Sequence, residues 1–226
     1  MGEWKFAGAQ MDMGSGAVTM VGNLATILGD GYTFSMTLKE DGTGTFAVSG
    51  ESVNVTWSQV SDESIVVTAT NPDSEGMSEP IEFFYANGVL TGSMVQEGQT
   101  TTLMFSKDGT VPGALEINAA NGRPITQEAD LVGDWKISGM SMMGLSIYGD
   151  SYTIATMSGN TAEVNLNVQP GGTATFGGQE ITYTVGPNGA SLNADGVAIP
   201  VMALGDGIMV DLTQIAQMDM FLAYSK

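Results

Sequence analysis

Apolar residues recur at every second position over many short stretches of this chain. Val53, Val55 and Trp57 alternate with polar neighbours, and Ile81, Phe83 and Tyr85 keep the same interval, a spacing that predicts strands with one buried face. Asn87-Gly88 predicts a tight hairpin turn after them. Strands over Val89–Val95 and Thr100–Ser106 follow, with Gln96–Gln99 as the turn between them. The C-terminal part ends in the same way, with strands over Val197–Ala203, Ile208–Leu212 and Met218–Tyr224 and a turn at Gly205-Asp206-Gly207. The 31 glycines, spread singly among Thr, Val and Ser runs, cut the chain into segments of roughly eight to twelve residues. The pattern is all-β. One stretch departs from it: Val18, Val21, Leu24, Ile27 and Leu28 fall at helical spacing with one apolar face, so Gly14–Asp30 is expected to form a helix, either a mobile lid or a fixed plug in the end of a barrel.

The chain also repeats itself. Gly2-Glu3-Trp4-Lys5 returns as Gly133-Asp134-Trp135-Lys136, and Gly29–Phe34 returns as Gly149–Ile154. Thr43-Gly44-Thr45-Phe46 returns as Thr173-Ala174-Thr175-Phe176, and Leu103–Lys107 returns as Leu222–Lys226. Matches in the same order imply two sibling domains, each of about a hundred residues and able to bury its own core. The boundaries read as a first domain over 1–107, a linker over 108–130 and a second domain over 131–226. Pro112, Pro124 and several glycines mark the linker, and Thr126 with Glu128 and Asp130 predicts a short helix leading into the second domain. With about eight candidate strands, each domain has enough to close an antiparallel up-and-down barrel, and a pair of β-sandwiches is the alternative. The second copy's extra residues, between Ile154 and Thr173, read as an extended hairpin. Only Met1 precedes the first Gly-x-Trp, whereas 125–132 precede the second, so the expectation is that a targeting segment has been trimmed.

Composition narrows the chemistry. The chain has 42% hydrophobic and 14% charged residues, a globular balance. Its net charge is −19, carried by both halves, which makes nucleic acid and anionic lipid poor partners and suits an acidic coat that keeps an exported protein soluble. Without cysteine or histidine it lacks disulfides, thiolate and imidazole metal sites and the usual nucleophile–base pairs. No run is long and apolar enough to be a membrane-spanning helix. An extracellular or cell-surface protein is expected.

A Gly-x-Trp at the start of the first strand of each unit (Gly2-Glu3-Trp4, Gly133-Asp134-Trp135), the Asp41-Gly42-Thr43 turn and final strands ending Phe105-Ser106-Lys107 and Tyr224-Ser225-Lys226 resemble the lipocalin-like domains of bacterial secreted proteins. The resemblance implies an eight-stranded barrel whose tryptophan sits at a closed end under a basic side chain from the last strand. Lys107 would cover Trp4 and Lys226 would cover Trp135, as structural pairs. The family's arginine at that place is absent, since Arg123 lies in the linker, and so is its Thr-Asp-Tyr type turn.

Candidate binding chemistry rests on methionine, with 16 residues against 8 phenylalanines. Met11 and Met13, Met140 and Met142, and Met218 and Met220 form i, i+2 pairs on one strand face. A register that sets Lys226 beside Trp135 would place Met142 opposite Met218 and Met140 opposite Met220. Core filling, an adaptable pocket for a small apolar ligand and soft coordination of Cu(I) all fit such a cluster. No catalytic residues and no cofactor are expected: the carboxylates Asp62, Glu63, Asp73, Glu75, Glu79 and Glu82 have no spacing that fixes a catalytic pair. Asp41-Gly42-Thr43 and Asn71–Glu75 lack the ligand spacing of a calcium loop, and the Asn54-Val55-Thr56 glycosylation triplet falls inside a strand. The reading is a non-catalytic exported protein that binds a small apolar ligand inside one or both barrels. The alternative is a structural or adhesive module with solid barrel cores.

Overall fold

The computed structural model describes residues 1–12, 14, 16–22, 34–70, 79–96, 98–157 and 164–226. The chain divides into two compact units, one made of Met1–Asp12 and Thr19–Ala114, the other of Met13–Val18 and Leu115–Lys226. The segment 108–130 is therefore shared, with the change of unit between Ala114 and Leu115. No helix among the described residues is long and apolar enough to cross a membrane.

The first unit contains β1 (Gly2–Asp12), the Thr19–Val21 part of β2 (Ala17–Val21), β3 (Phe34–Leu38), β4 (Thr43–Val48), β5 (Glu51–Ser61), β6 (Ser64–Ala69), β7 (Ile81–Ala86), β8 (Val89–Gln96) and β9 (Gln99–Ser106). From β3 to β9 each strand pairs antiparallel with the next, and β1 pairs with both β3 and β9. The result is a closed eight-stranded antiparallel barrel, so the sandwich alternative does not hold for this unit. The short β2 lies alongside β1. It corrects the helix expected from Val18 and Val21, which sit on this strand; Leu24, Ile27 and Leu28 lie outside the described residues. Two valines three residues apart fit either a helix face or a strand, and pairing with β1 decided for the strand.

The barrel interior is filled by aromatic rings. Phe6, Phe34, Phe46, Phe83 and Phe105 form a chain of mostly edge-on contacts, with ring centroids 5.1 to 6.1 Å apart. Met36, Val55, Val67, Ile81 and Leu103 complete the packing. Phe83 finds room because Gly92 stands opposite it on β8. A Cβ on Gly92 would lie 2.5 to 2.9 Å from three atoms of the Phe83 ring.

The second unit contains β10 (Arg123–Pro124), β11 (Gly133–Met142), β12 (Leu145–Gly149), β13 (Leu166–Gln169), β14 (Thr173–Phe176), β15 (Gln179–Gly186), β16 (Gly189–Ala194), β17 (Val197–Leu204), β18 (Gly207–Asp211) and β19 (Met220–Ser225). β11 pairs with β13, the strands β13 to β19 pair in succession, and β19 pairs with β11. The registers match those of the first unit. Gly2 and Trp4 face Leu38 and Met36, while Gly133 and Trp135 face Val168 and Leu166. Even the irregularity in the first strand recurs, between Phe6 and Gly8 in one unit and between Ile137 and Gly139 in the other. That bulge inserts a residue and advances the ladder. Consequently Met142 faces Met220 and Met140 faces Leu222, which corrects the register expected for the methionines.

Among the described residues this unit has three short α-helices, α1 (Glu128–Leu131), α2 (Ser151–Met157) and α3 (Thr213–Ala216), and a 3-10 turn at Ala119–Asn121. Helix α1 starts after Gln127 rather than on a Thr126 cap, with Glu128 and Asp130 in its first turn. Tyr152, Thr153 and Ile154, which the repeat aligns with the strand start at Phe34, lie instead in α2, whose first turn is tied to Asp150: the Tyr152 and Thr153 N–H groups donate to Oδ1. The hairpin expected around Ser158-Gly159-Asn160 lies outside the described residues. Ahead of α1, residues 115–124 cross the outer face of the sheet. Ile117 is fully buried there against Leu204, Met209, Phe221 and Ala223, and its N–H donates to Ser146 Oγ at 2.8 Å.

Candidate apolar pocket at the Trp4 end

The Gly-x-Trp and the final lysine meet in both units. Lys107 Nζ lies 4.0 Å from the centroid of the Trp4 ring, and Lys226 Nζ lies 4.5 Å from that of Trp135. Gly2 and Gly133 have φ values of +97° and +148°, and a Cβ at either would meet the lysine side chain at 3.3 or 2.9 Å. The motif needs glycine because the backbone turns in the left-handed region directly beneath the cation.

Beyond Trp4 the barrel opens into a cavity of about 710 Å³, walled by Trp4, Leu38, Trp57, Ile65, Tyr85 and Leu90. Its size is that of a small-molecule site. The same end of the barrel places each wall residue. Trp57 ends the alternation on β5 and donates its Nε1 to Lys39 O at 2.9 Å. Tyr85, near the end of β7, stands edge-on to Trp4 with centroids 5.9 Å apart and is 47% exposed. The hairpin between β5 and β6 is closed by a Ser61–Ser64 hydroxyl bond of 2.9 Å, and Glu63 O accepts from the Tyr85 N–H. Trp4 is only 8% exposed, and its Nε1, itself buried, has no hydrogen-bond partner.

The rim is polar. Asp62, Glu63, Lys107 and Asp108 line it. Asp108 accepts from Ser106 Oγ and from the Thr110 N–H and hydroxyl, the Thr110 side-chain bond first among the causes that hold its carboxyl below the ordinary value. Lys107 donates to Met1 O at 2.6 Å; partial burial lowers its pKa and the nearby Glu3 charge opposes that. Apolar walls under a polar rim suit a small apolar group.

The methionines are elsewhere. Met11 is half-buried on β1 opposite Thr101, and Met13 lies outside the described residues. Met140 is buried, Met220 is partly buried, and Met142 and Met218 are 39% and 44% exposed. Of these candidate methionines, Met142 and Met220 face each other across strands, while Met218 precedes β19. Among the described residues no three Asp, Glu, His or Cys side chains group as a metal site. Asp41, weighed as a calcium ligand, is committed to its own turn: Oδ1 accepts from the Thr43 N–H at 3.0 Å and from the Thr43 hydroxyl at 2.6 Å. Asn54-Val55-Thr56 does lie within β5. Asp73 and Glu75 fall outside the described residues.

Sequence reasoning missed Trp57, Tyr85, Ile65 and Leu90 as neighbours. Trp57 and Tyr183 correspond only through the ladders, Thr43 facing Thr56 and Thr173 facing Thr182, because the turn between these strands is longer in the first copy and shifts the repeat there. No protein-family profile, curated protein or solved structure matches this chain.

Proposed function

We propose that the chain is a non-catalytic, exported bacterial protein built of two tandem lipocalin-like barrels, and that its binding site is the mouth of the first barrel rather than the barrel interior. The observation that carries this reading is the open cavity walled by Trp4, Trp57, Tyr85, Leu38, Ile65 and Leu90. The interior is taken by phenylalanines, so a small apolar ligand fits only outside them. The matching ladders and the repeated lysine-over-tryptophan pairs support the tandem arrangement. The acidic, cysteine-free composition supports an extracellular or cell-surface place.

The test is titration of the protein with the neutral apolar fluorophore N-phenyl-1-naphthylamine. Saturable binding that weakens about tenfold in Tyr85→Ala is expected, since a buried aromatic face contributes on this scale. Equal binding by the variant would move the site elsewhere. Native mass spectrometry of gently purified protein would then identify any apolar molecule retained. The filled aromatic interior favours a second reading, a structural or adhesive module acting through its outer surface. Absence of any saturable apolar binding would establish it over the first.

A further inference from the structure

The second barrel ends, away from Trp135, in a layer of methionines. Tyr224, Leu222 and Met220 alternate along β19 and share one face, and Tyr224 takes the interior place that Phe105 has in the first barrel. Across the ladder Ile137 faces Tyr224, Met140 faces Leu222 and Met142 faces Met220, so successive rungs lead outward from the core. Met140 and Leu222 are buried, Met220 is half-buried and Met142 is exposed. Two further methionines join this last rung. The Met143 N–H donates to Asp219 O at 2.9 Å, and Met218 directly precedes that aspartate. Met143 is 37% exposed, and Ile215, on α3 shortly before Met218, is 54% exposed. The first barrel sets Met11 opposite Thr101 on the equivalent rung, so the facing thioethers belong to the second copy.

Volume alone does not call for methionine here, since Leu222 fills the next rung inward and leucine exchanges with methionine at little cost. Chemistry separates the two residues. A thioether sulfur accepts oxygen from an electrophilic oxidant, and its susceptibility follows its exposure. The chain has no cysteine, so no thiolate competes for the oxidant.

We infer that this end of the second barrel is a methionine oxidation site, at which Met142, Met143 and Met218 take oxygen from hydrogen peroxide before the sulfurs behind them. The sulfur lone pair attacks one peroxide oxygen, and the S–O bond forms as the O–O bond breaks. The proton of the attacked hydroxyl passes to the departing oxygen, which leaves as water. Sulfur gives up two electrons and the peroxide gains them. Each sulfoxide is polar, so the apolar surface that these residues share with Ile215 becomes polar, while Met140 stays reduced and the barrel interior stays apolar.

The test is a hydrogen peroxide series on the full protein, stopped with catalase and read by mass spectrometry of proteolytic peptides for sulfoxide at each methionine. Met142, Met143 and Met218 are expected to oxidise first, Met220 next, and Met140 and the fully buried Met209 at least about tenfold more slowly. Retention on a phenyl column should fall as the first three oxidise. Over the same range the urea midpoint of peptides covering 179–194, followed by hydrogen exchange, should stay constant. The triple variant M142L, M143L and M218L should keep its retention under the same peroxide, although the exposed Met157 still oxidises. Met140 or Met209 keeping pace with Met142 would overturn the inference. So would a urea midpoint that falls with the first three, or a triple variant that loses retention as the parent does.

Discussion

Phe83 and Gly92 face each other across β7 and β8, and the second unit sets Val201 and Val210 in the same two places. One pair is large with small, the other medium with medium. Each single substitution in the first barrel should therefore fail for an opposite reason. Phe83→Val removes four carbons from a fully buried ring, a loss of roughly 3 kcal/mol at about 0.8 kcal/mol per buried carbon, before any cavity term. Gly92→Val forces a Cβ to within 2.5 Å of the Phe83 ring, an overpacking that costs about 1–3 kcal/mol. The double variant reproduces the Val–Val pair and should lie within about 1–2 kcal/mol of the parent, a favourable coupling of about 2–4 kcal/mol where independent effects would add to roughly 4–6. Hydrogen exchange read by mass spectrometry on peptides covering 81–96, as a function of urea, gives the stability of this barrel separately from the other unit. Additive losses in the double variant would show that the two units do not pack their interiors alike, and the equivalence of their registers would carry no energetic meaning.

Tyr224, which takes the place of Phe105, buries a hydroxyl without a partner, so Tyr224→Phe should raise the stability of the second unit by about 1–3 kcal/mol in urea unfolding. A loss of stability would mean that the hydroxyl is satisfied. The phenols of Tyr148, Tyr183 and Tyr224 are all held above the ordinary value, burial being the first cause in each, with Tyr148 pushed up to about 12. Their neutral forms stabilise the fold fully below about pH 10, and that contribution is lost as pH rises towards the folded values, so the second unit should unfold in the alkaline range and Tyr224→Phe should widen its tolerance. Thermal scans from pH 8 to 12 test this, and a flat profile refutes it. Leu131→Ala should cost about 2–5 kcal/mol and expose the Trp135 indole, seen as a red shift of its emission; an unshifted spectrum would mean that α1 does not seal that end.

The strands were legible because period-two alternation and single glycines are local signals, and so was the barrel, because its first and last strands carry the Gly-x-Trp and Phe-Ser-Lys marks that bring Lys107 over Trp4. The methionine register was not. It depended on one extra residue at the Ile137–Gly139 bulge, which no alternation pattern announces. Val18 and Val21 misled for a related reason: a three-residue interval is shared by helices and irregular strands, and only the partner strand decides. Residues 151–157 copied a strand start in sequence yet formed α2, whose first turn the Asp150 carboxylate holds through N–H bonds from Tyr152 and Thr153.

The pocket was illegible for a different reason. Its wall is assembled from β1, β3, β5, β6, β7 and β8, and nothing in the spacing of Trp4, Trp57 and Tyr85 says that they converge. What does carry information is the comparison of the copies. Trp135 has Leu131 O and Trp4 has no acceptor; Tyr183 has Glu128, while Trp57 turns back to Lys39. The tip at this position reaches the carbonyl of its own turn in both copies, Tyr183 that of Gln169 and Trp57 that of Lys39, so what separates them is the additional Glu128 contact that ties Tyr183 to the segment before the Gly-x-Trp.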